Sequence, residues 1–127
     1  MTVVYDTGLL IAADRNDREV WADHLARLEA GHVPVTTAPV VAQASRSSRQ
    51  VPLRRLLRGC DVVAFDASEA HDVGALLSRS ATSDIVDAHV VVVAARLGAA
   101  VITSDPGDLR MLAANMRASV SVFTVPT

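Results

Sequence analysis

Short apolar runs alternate along this chain with longer segments whose apolar residues recur at helical spacing. The runs at residues 3–5, 33–37, 61–65, 100–103 and 120–125 predict five strands. The segments between them predict helices at 9–13, about 17–30, 39–49, from 52, at 68–80, at 84–97 and after residue 105. Alternation of this kind favours a parallel sheet covered by helices. The sequence therefore predicts a three-layer α/β sandwich with a central, mainly parallel sheet and helices on both faces.

The most apolar helix is expected to be buried on several sides. Ser83 or Asp84 is placed to cap it, the run from Val90 to Ala95 is apolar without a break, and Gly98 is placed to end it. The other predicted helix boundaries fall at residues that commonly begin or end helices: Asn16 or Asp17, Pro39, Pro52 and Ser68 at N-termini, and Gly31 at a C-terminus.

Length and composition favour one cytoplasmic domain. A chain of 127 residues and 13.4 kDa suits a single core, so one domain is expected over residues 1–127. The longest apolar run is far short of the roughly 20 residues that span a bilayer. The N-terminus has no basic region, and the lone Cys60 has no internal disulfide partner. We therefore expect no membrane-spanning segment and no secretory signal, and we expect the protein to lie in the reducing cytoplasm.

The charges are unevenly distributed although the net charge is only −2. All 12 basic residues are arginine, and the segment between residues 30 and 60 contains no acid and the five arginines Arg46, Arg49, Arg54, Arg55 and Arg58. The rest of the chain is correspondingly acidic. This asymmetry predicts a stripe that faces a polyanion beside an acidic pocket, and a solvated arginine face remains the alternative.

Five acids are expected to converge near the carboxyl ends of two strands. Asp6 ends the first strand and Asp105 follows the fourth, while Asp84, Asp87 and Asp108 lie in first turns of neighbouring helices. In an open parallel sheet, the loops beyond these strand ends meet in one crevice. Clustered carboxylates repel one another unless a cation is bound, and Mg²⁺ or Mn²⁺ prefers oxygen ligands. The pattern therefore favours metal-dependent phosphodiester chemistry by activated water.

Each acid also fits a structural role when it is taken alone. Asp105 is placed to be the N-cap of a helix with Pro106 at its first position, and Asp84 is placed to cap the apolar helix. The functional interpretation depends on the joint placement of the acids.

This sequence lacks the residues that several other classes of protein require. The chain has no lysine for a receiver domain, and position 8 is glycine where a haloacid-dehalogenase phosphatase needs a second acid. No glycine-rich phosphate loop ending in lysine, nucleophile elbow or zinc-binding Cys/His spacing is present in the sequence.

Three segments in order resemble the PIN-domain nucleases, and more narrowly the VapC toxins of bacterial toxin–antitoxin pairs. These segments are Val3–Thr7, Asp84–His89 and Gly98–Leu109. The resemblance implies a Mg²⁺- or Mn²⁺-dependent endoribonuclease that is inhibited by a cognate VapB antitoxin. It places the metal ligands at Asp6, Asp87 and Asp105, a further acid at Asp108 and a hydroxyl at Thr103. Asp84 stays open between metal ligand and helix cap, as does the choice between one and two ions.

One position departs from this resemblance. PIN nucleases usually carry a glutamate on the helix after the second strand, and here Gln43 occupies that position. A catalytically weak or inactive PIN domain that serves as a binding module therefore remains an alternative, as does a small α/β metal-dependent phosphatase. If the protein is a ribonuclease, Arg46, Arg49, Arg54 and Arg58 are expected to hold the RNA backbone. The apolar content and the resemblance both favour a homodimer.

Overall fold

A computed structural model describes residues 1–125 and contains five strands and seven helices within that range. The strands are β1 (Val3–Tyr5), β2 (Val35–Thr37), β3 (Asp61–Val63), β4 (Ala100–Thr103) and β5 (Val122–Thr124). The helices are α1 (Thr7–Asp14), α2 (Arg18–Glu29), α3 (Ala38–Ala44), α4 (Val51–Arg58), α5 (Ala67–Arg79), α6 (Ile85–Leu97) and α7 (Gly107–Ala114). The predicted α/β class is confirmed.

All four strand pairings in the sheet are parallel, in the order β3-β2-β1-β4-β5. The chain moves outward from β1 to β2 and β3, then crosses back to β4 and continues to β5. Right-handed crossovers therefore place α1 to α4 on one face of the sheet and α5 to α7 on the other. The order reverses between β1 and β4, and such a reversal opens a crevice beyond the carboxyl ends of the two strands.

Helix α6 lies at the centre of its layer, as its composition predicts. It packs against β1, β2 and β4 and against α5 and α7. Its five consecutive residues from Val90 to Ala94 are buried, and each fully buried valine contributes roughly 1.5–3 kcal/mol. Gly98 ends the helix in the left-handed region at φ 62°. No helix within residues 1–125 has both the length and the apolar content to cross a membrane.

Several predicted boundaries differ from the structure for local reasons. α1 begins at Thr7 rather than residue 9 because Asp6 accepts a hydrogen bond from the Leu9 amide and caps it. α5 is likewise capped by Asp66, one residue before its start at Ala67. β2, β3 and β5 are each shorter than their apolar runs; Val33, for example, precedes β2 and is 50% exposed.

The helix predicted over residues 39–49 ends at Ala44. Gln50 Oε1 accepts hydrogen bonds from the backbone amides of Arg46 at 2.6 Å and Ser47 at 3.0 Å, and this holds residues 45–50 as a loop. The predicted extent of this helix is therefore wrong, and Arg46 and Arg49 lie outside it.

Candidate metal centre

Asp6 occupies the end of the central strand β1 and is 4% exposed. Its carboxylate accepts hydrogen bonds from the Leu9 amide at 2.9 Å and from Thr103 Oγ1 at 2.5 Å. Burial raises the pKa of Asp6, the two hydrogen bonds oppose this rise, and Asp105 adds to it. The fold thus holds a carboxylate at the switch point of the sheet, where its negative charge is disfavoured.

Thr103 connects the two acids that follow β1 and β4. Its hydroxyl donates to Asp6 and accepts a hydrogen bond from the Asp105 amide at 2.9 Å. The N-cap of α7 is Pro106, without a capping side chain, so the expectation that Asp105 caps this helix is wrong. The Asp105 carboxylate is exposed and is not used as a cap.

Asp84 caps α6. Its Oδ1 accepts a hydrogen bond from the Asp87 amide at 3.0 Å, which gives this acid a structural role and leaves a ligand role as a proposal. Asp87 lies one turn into the helix and is partly buried.

Four of the five acids share one electrostatic environment. Burial is the largest cause of a rise in the pKa of Asp87 to about 7, and the charges of Asp84, Asp6 and Asp108 raise it further. Asp105 in turn raises the pKa of Asp6, so the charges of the five acids are linked through Asp87 and Asp6. Within residues 1–125, however, no three His, Cys, Asp or Glu side chains already surround a single point as a finished metal site.

Uncharged groups lie near Asp6; the sequence analysis singled out Gln43 among them and missed Thr7 and Ser104. Thr7 Oγ1 donates to Gln43 Oε1 at 2.6 Å, which brings α3 to the rim of the acidic crevice. On the other side, a Cβ on Gly8 would lie 2.8 Å from Ser104 Oγ, so glycine is what allows this hydroxyl to approach the start of α1. For Thr7 and Ser104, the neighbouring acids gave the only signal in the sequence.

The arginines predicted to bind RNA do not form one surface element. Arg54 and Arg58 lie exposed on α4, one turn apart, whereas Arg46 and Arg49 lie in the loop before it. Arg54 also donates through Nη1 to the Ser48 carbonyl at 2.5 Å.

A second polar cluster is buried away from the acids, between α5 and α6. Glu69, 3% exposed, places Oε2 2.5 Å from His89 Nε2 and Oε1 2.5 Å from Arg96 Nη1. His89 is fully buried and packs edge to face against Phe65 with ring centroids 4.6 Å apart. His89 Nε2 thus contacts the Glu69 carboxylate, whereas its Nδ1 has no hydrogen-bond partner within residues 1–125.

Comparison with known proteins assigns the family. The family model of the PIN domain matches residues 3–114, so the chain belongs to the PIN domain family. A search of curated protein sequences finds no match.

Solved structures with the same fold include chains from toxin–antitoxin systems. One belongs to VapBC2 from Rickettsia felis bound to a DNA fragment from their promoter, with a TM-score of 0.71, 14% identity and coverage of 99% of this chain and 100% of that chain. Another is FitAcB from Neisseria gonorrhoeae, with a TM-score of 0.64, 16% identity and coverage of 95% and 96%. A third, PAE2754 from Pyrobaculum aerophilum, has a TM-score of 0.61, 16% identity and coverage of 95% and 89%. At these identities the likeness concerns the fold.

Proposed function

We propose that this protein is a divalent-metal-dependent endoribonuclease and acts as the toxin of a VapBC-type pair, with one nuclease domain over residues 1–127. The observation that supports the proposal is the buried Asp6 carboxylate at the switch point between β1 and β4, which is tied through Thr103 to the Asp105 backbone and raises the pKa of Asp87. PIN domains are generally nucleases, and the fold neighbours include toxin–antitoxin complexes. The phosphatase alternative has no comparable support.

The donor set fits a hard cation. Every candidate ligand is an oxygen, and the raised pKa values of Asp6 and Asp87 reflect burial and repulsion that a positive charge would relieve. We propose Asp6, Asp87 and Asp105 as ligands of Mg²⁺ or Mn²⁺, with Asp84 and Asp108 as auxiliaries. A bound ion would supply activation of water and neutralisation of charge on the phosphate.

The chain's own groups prepare this site. The Leu9 amide and the Thr103 hydroxyl each bind one oxygen of the Asp6 carboxylate and so fix its orientation. Asp84 fixes the first turn of α6 and so the height of Asp87 above the sheet. Because these contacts are made by backbone amides and a buried hydroxyl, the acids are held on rigid elements before any substrate arrives.

The test is cleavage of RNA in Mn²⁺ by the wild type and by Asp105→Asn. Asp105 is exposed and caps no helix, so its replacement should leave the melting temperature unchanged while cleavage falls on the order of 100-fold or more. Asp72→Asn, which changes an exposed aspartate on α5, is the matched control. Equal cleavage by Asp105→Asn would remove this residue from the site.

Gln43 favours one second candidate, a weak or inactive PIN domain that only binds. Under that alternative the wild type binds RNA but leaves it intact in both Mg²⁺ and Mn²⁺.

Partners follow from the same proposal. We propose a cognate VapB-type antitoxin, an RNA substrate, a homodimer and action in the cytoplasm.

Replacing Arg54 and Arg58 together by alanine is expected to weaken RNA binding without changing Mn²⁺ binding. Two lost phosphate contacts should flatten the slope of log affinity against log salt by roughly 1.4 for single-stranded RNA. Fluorescence anisotropy over a salt series measures this slope, with Arg18→Ala, an exposed arginine on α2, as control. An unchanged slope would show that this face of α4 does not contact the RNA.

A further inference from the structure

The side-chain amide of Gln43 is fixed at the edge of the acidic crevice by the residue that follows Asp6. Thr7 Oγ1 donates to Gln43 Oε1 at 2.6 Å, and both side chains are partly buried. This contact joins the start of α1 to the last turn of α3. The amide is therefore oriented, unlike that of a freely rotating surface glutamine.

The hydrogen bond leaves a specific group available. A glutamine amide has one carbonyl acceptor and one NH₂ group with two donors. Here the carbonyl oxygen already accepts from Thr7, whereas no group within residues 1–125 accepts from Gln43 Nε2, which also is not among the buried unpaired atoms. What Gln43 presents to an incoming ligand is thus an uncharged hydrogen-bond donor.

Such a donor suits an anion better than a cation. The five acids already supply negative charge for a metal, and a neutral carbonyl that is engaged by a hydroxyl is a weaker ligand than any of them. An RNA phosphate, in contrast, must approach through a negatively charged crevice, and an oriented N–H group can hold one of its oxygens without adding charge to the site.

We propose that Gln43 binds a phosphate oxygen of the RNA backbone through Nε2 and does not bind the metal, and that Thr7 is the residue that positions it. This inference rests on the proposed ribonuclease function. It explains the glutamine in place of the usual glutamate by a role in substrate binding. It also gives Thr7 a positioning role that its place after β1 did not indicate.

The experiment separates the two ligands. Binding of a single-stranded RNA oligonucleotide is measured by anisotropy in millimolar Ca²⁺ over a salt series, and Mn²⁺ binding is measured by calorimetry without RNA. Gln43→Met keeps the length of the side chain and removes its polar atoms. We expect it to weaken RNA binding about 10-fold, the usual value of a hydrogen bond to a charged group, with Mn²⁺ affinity within about twofold of the wild type.

The slope of log affinity against log salt distinguishes a neutral contact from a charged one. Because the amide is neutral, Gln43→Met should lower RNA affinity at every salt concentration and leave the slope unchanged, unlike the arginine double variant. Thr7→Val should lower RNA affinity by a smaller factor, and Thr7→Ser, which retains the hydroxyl, should restore it. Ser78→Ala on α5 serves as a distant control, and melting curves verify folding.

Three results would overturn the inference. An RNA affinity of Gln43→Met equal to that of the wild type would place the amide outside the RNA path. A large loss of Mn²⁺ affinity in the same variant would make Gln43 a metal ligand instead. If the wild type bound neither RNA nor Mn²⁺, the proposed function itself would fail, and with it this role.

Discussion

The metal-free protein is expected to lose roughly 2–3 kcal/mol of folding free energy between pH 5 and pH 8. Asp87 has a pKa of about 7 in the folded state, mainly because it is buried and then because the charges of Asp84, Asp6 and Asp108 disfavour its ionisation, whereas an unfolded aspartate titrates near 4. The folded state therefore binds more protons between these values. The contribution of Asp87 to stability is therefore fully present below the unfolded pKa and is lost as the pH rises through the folded pKa of about 7.

Chemical denaturation in EDTA at several pH values measures this loss. Asp87→Asn should flatten the pH profile, whereas the exposed-site control Asp72→Asn should follow the wild type. Millimolar Mn²⁺ should restore stability most strongly above pH 7, where the acids are ionised and repel one another. A wild-type profile that is flat from pH 5 to pH 8 without metal would contradict the coupling of these carboxylates.

Glu69→Ala is expected to destabilise the fold by about 2–5 kcal/mol, because it leaves a buried histidine nitrogen without its hydrogen-bond partner and removes packed side-chain atoms. Glu69 is 3% exposed, and its two carboxylate oxygens contact His89 and Arg96. Without it, His89 would lose its only polar partner within residues 1–125, since its Nδ1 has none, and the removed methylenes would leave a cavity. Glu69→Gln preserves the volume and should cost less.

An exposed pair in the same protein offers the matched comparison. Arg27 and Asp23 form an ion pair of 3.0 Å on α2 with side chains 21% and 32% exposed. Asp23→Ala should cost no more than about 0.5 kcal/mol, because solvent screens this pair and a turn of helix already holds it. Urea denaturation of both variants measures the difference. Equal losses in the two variants would mean that burial adds nothing to the Glu69 cluster.

The approach of Asp6 and Asp105 could be predicted from the sequence because it follows from topology. Each acid comes directly after an apolar run, and the ends of parallel strands lie at one edge of a sheet. The sequence could not decide between cap and ligand at the starts of α6 and α7, since both roles place an acid in the same turn. In the structure Asp84 caps α6, whereas Asp105 does not cap α7.

Contacts that follow no periodic pattern in the sequence could not be predicted either. The loop at residues 45–50 depends on one side chain, Gln50, that accepts from two backbone amides, and no local propensity indicates it. Glu69 lies three residues after the cap Asp66, where a glutamate commonly returns to the helix start, yet its side chain turns into the interior towards His89. Tertiary packing determines the partners of these two side chains.

The contact between Thr103 and Asp6 joins residues that are 97 positions apart. During synthesis, β1 emerges first but has its neighbour β4 only after about four fifths of the chain has been made. The nascent protein can therefore bury its first helices against β1 and β2 while the crevice still lacks one wall. The candidate site can therefore be completed only late in synthesis, and an incomplete chain released from the ribosome before residue 100 would carry Asp6 without Thr103 and Asp105.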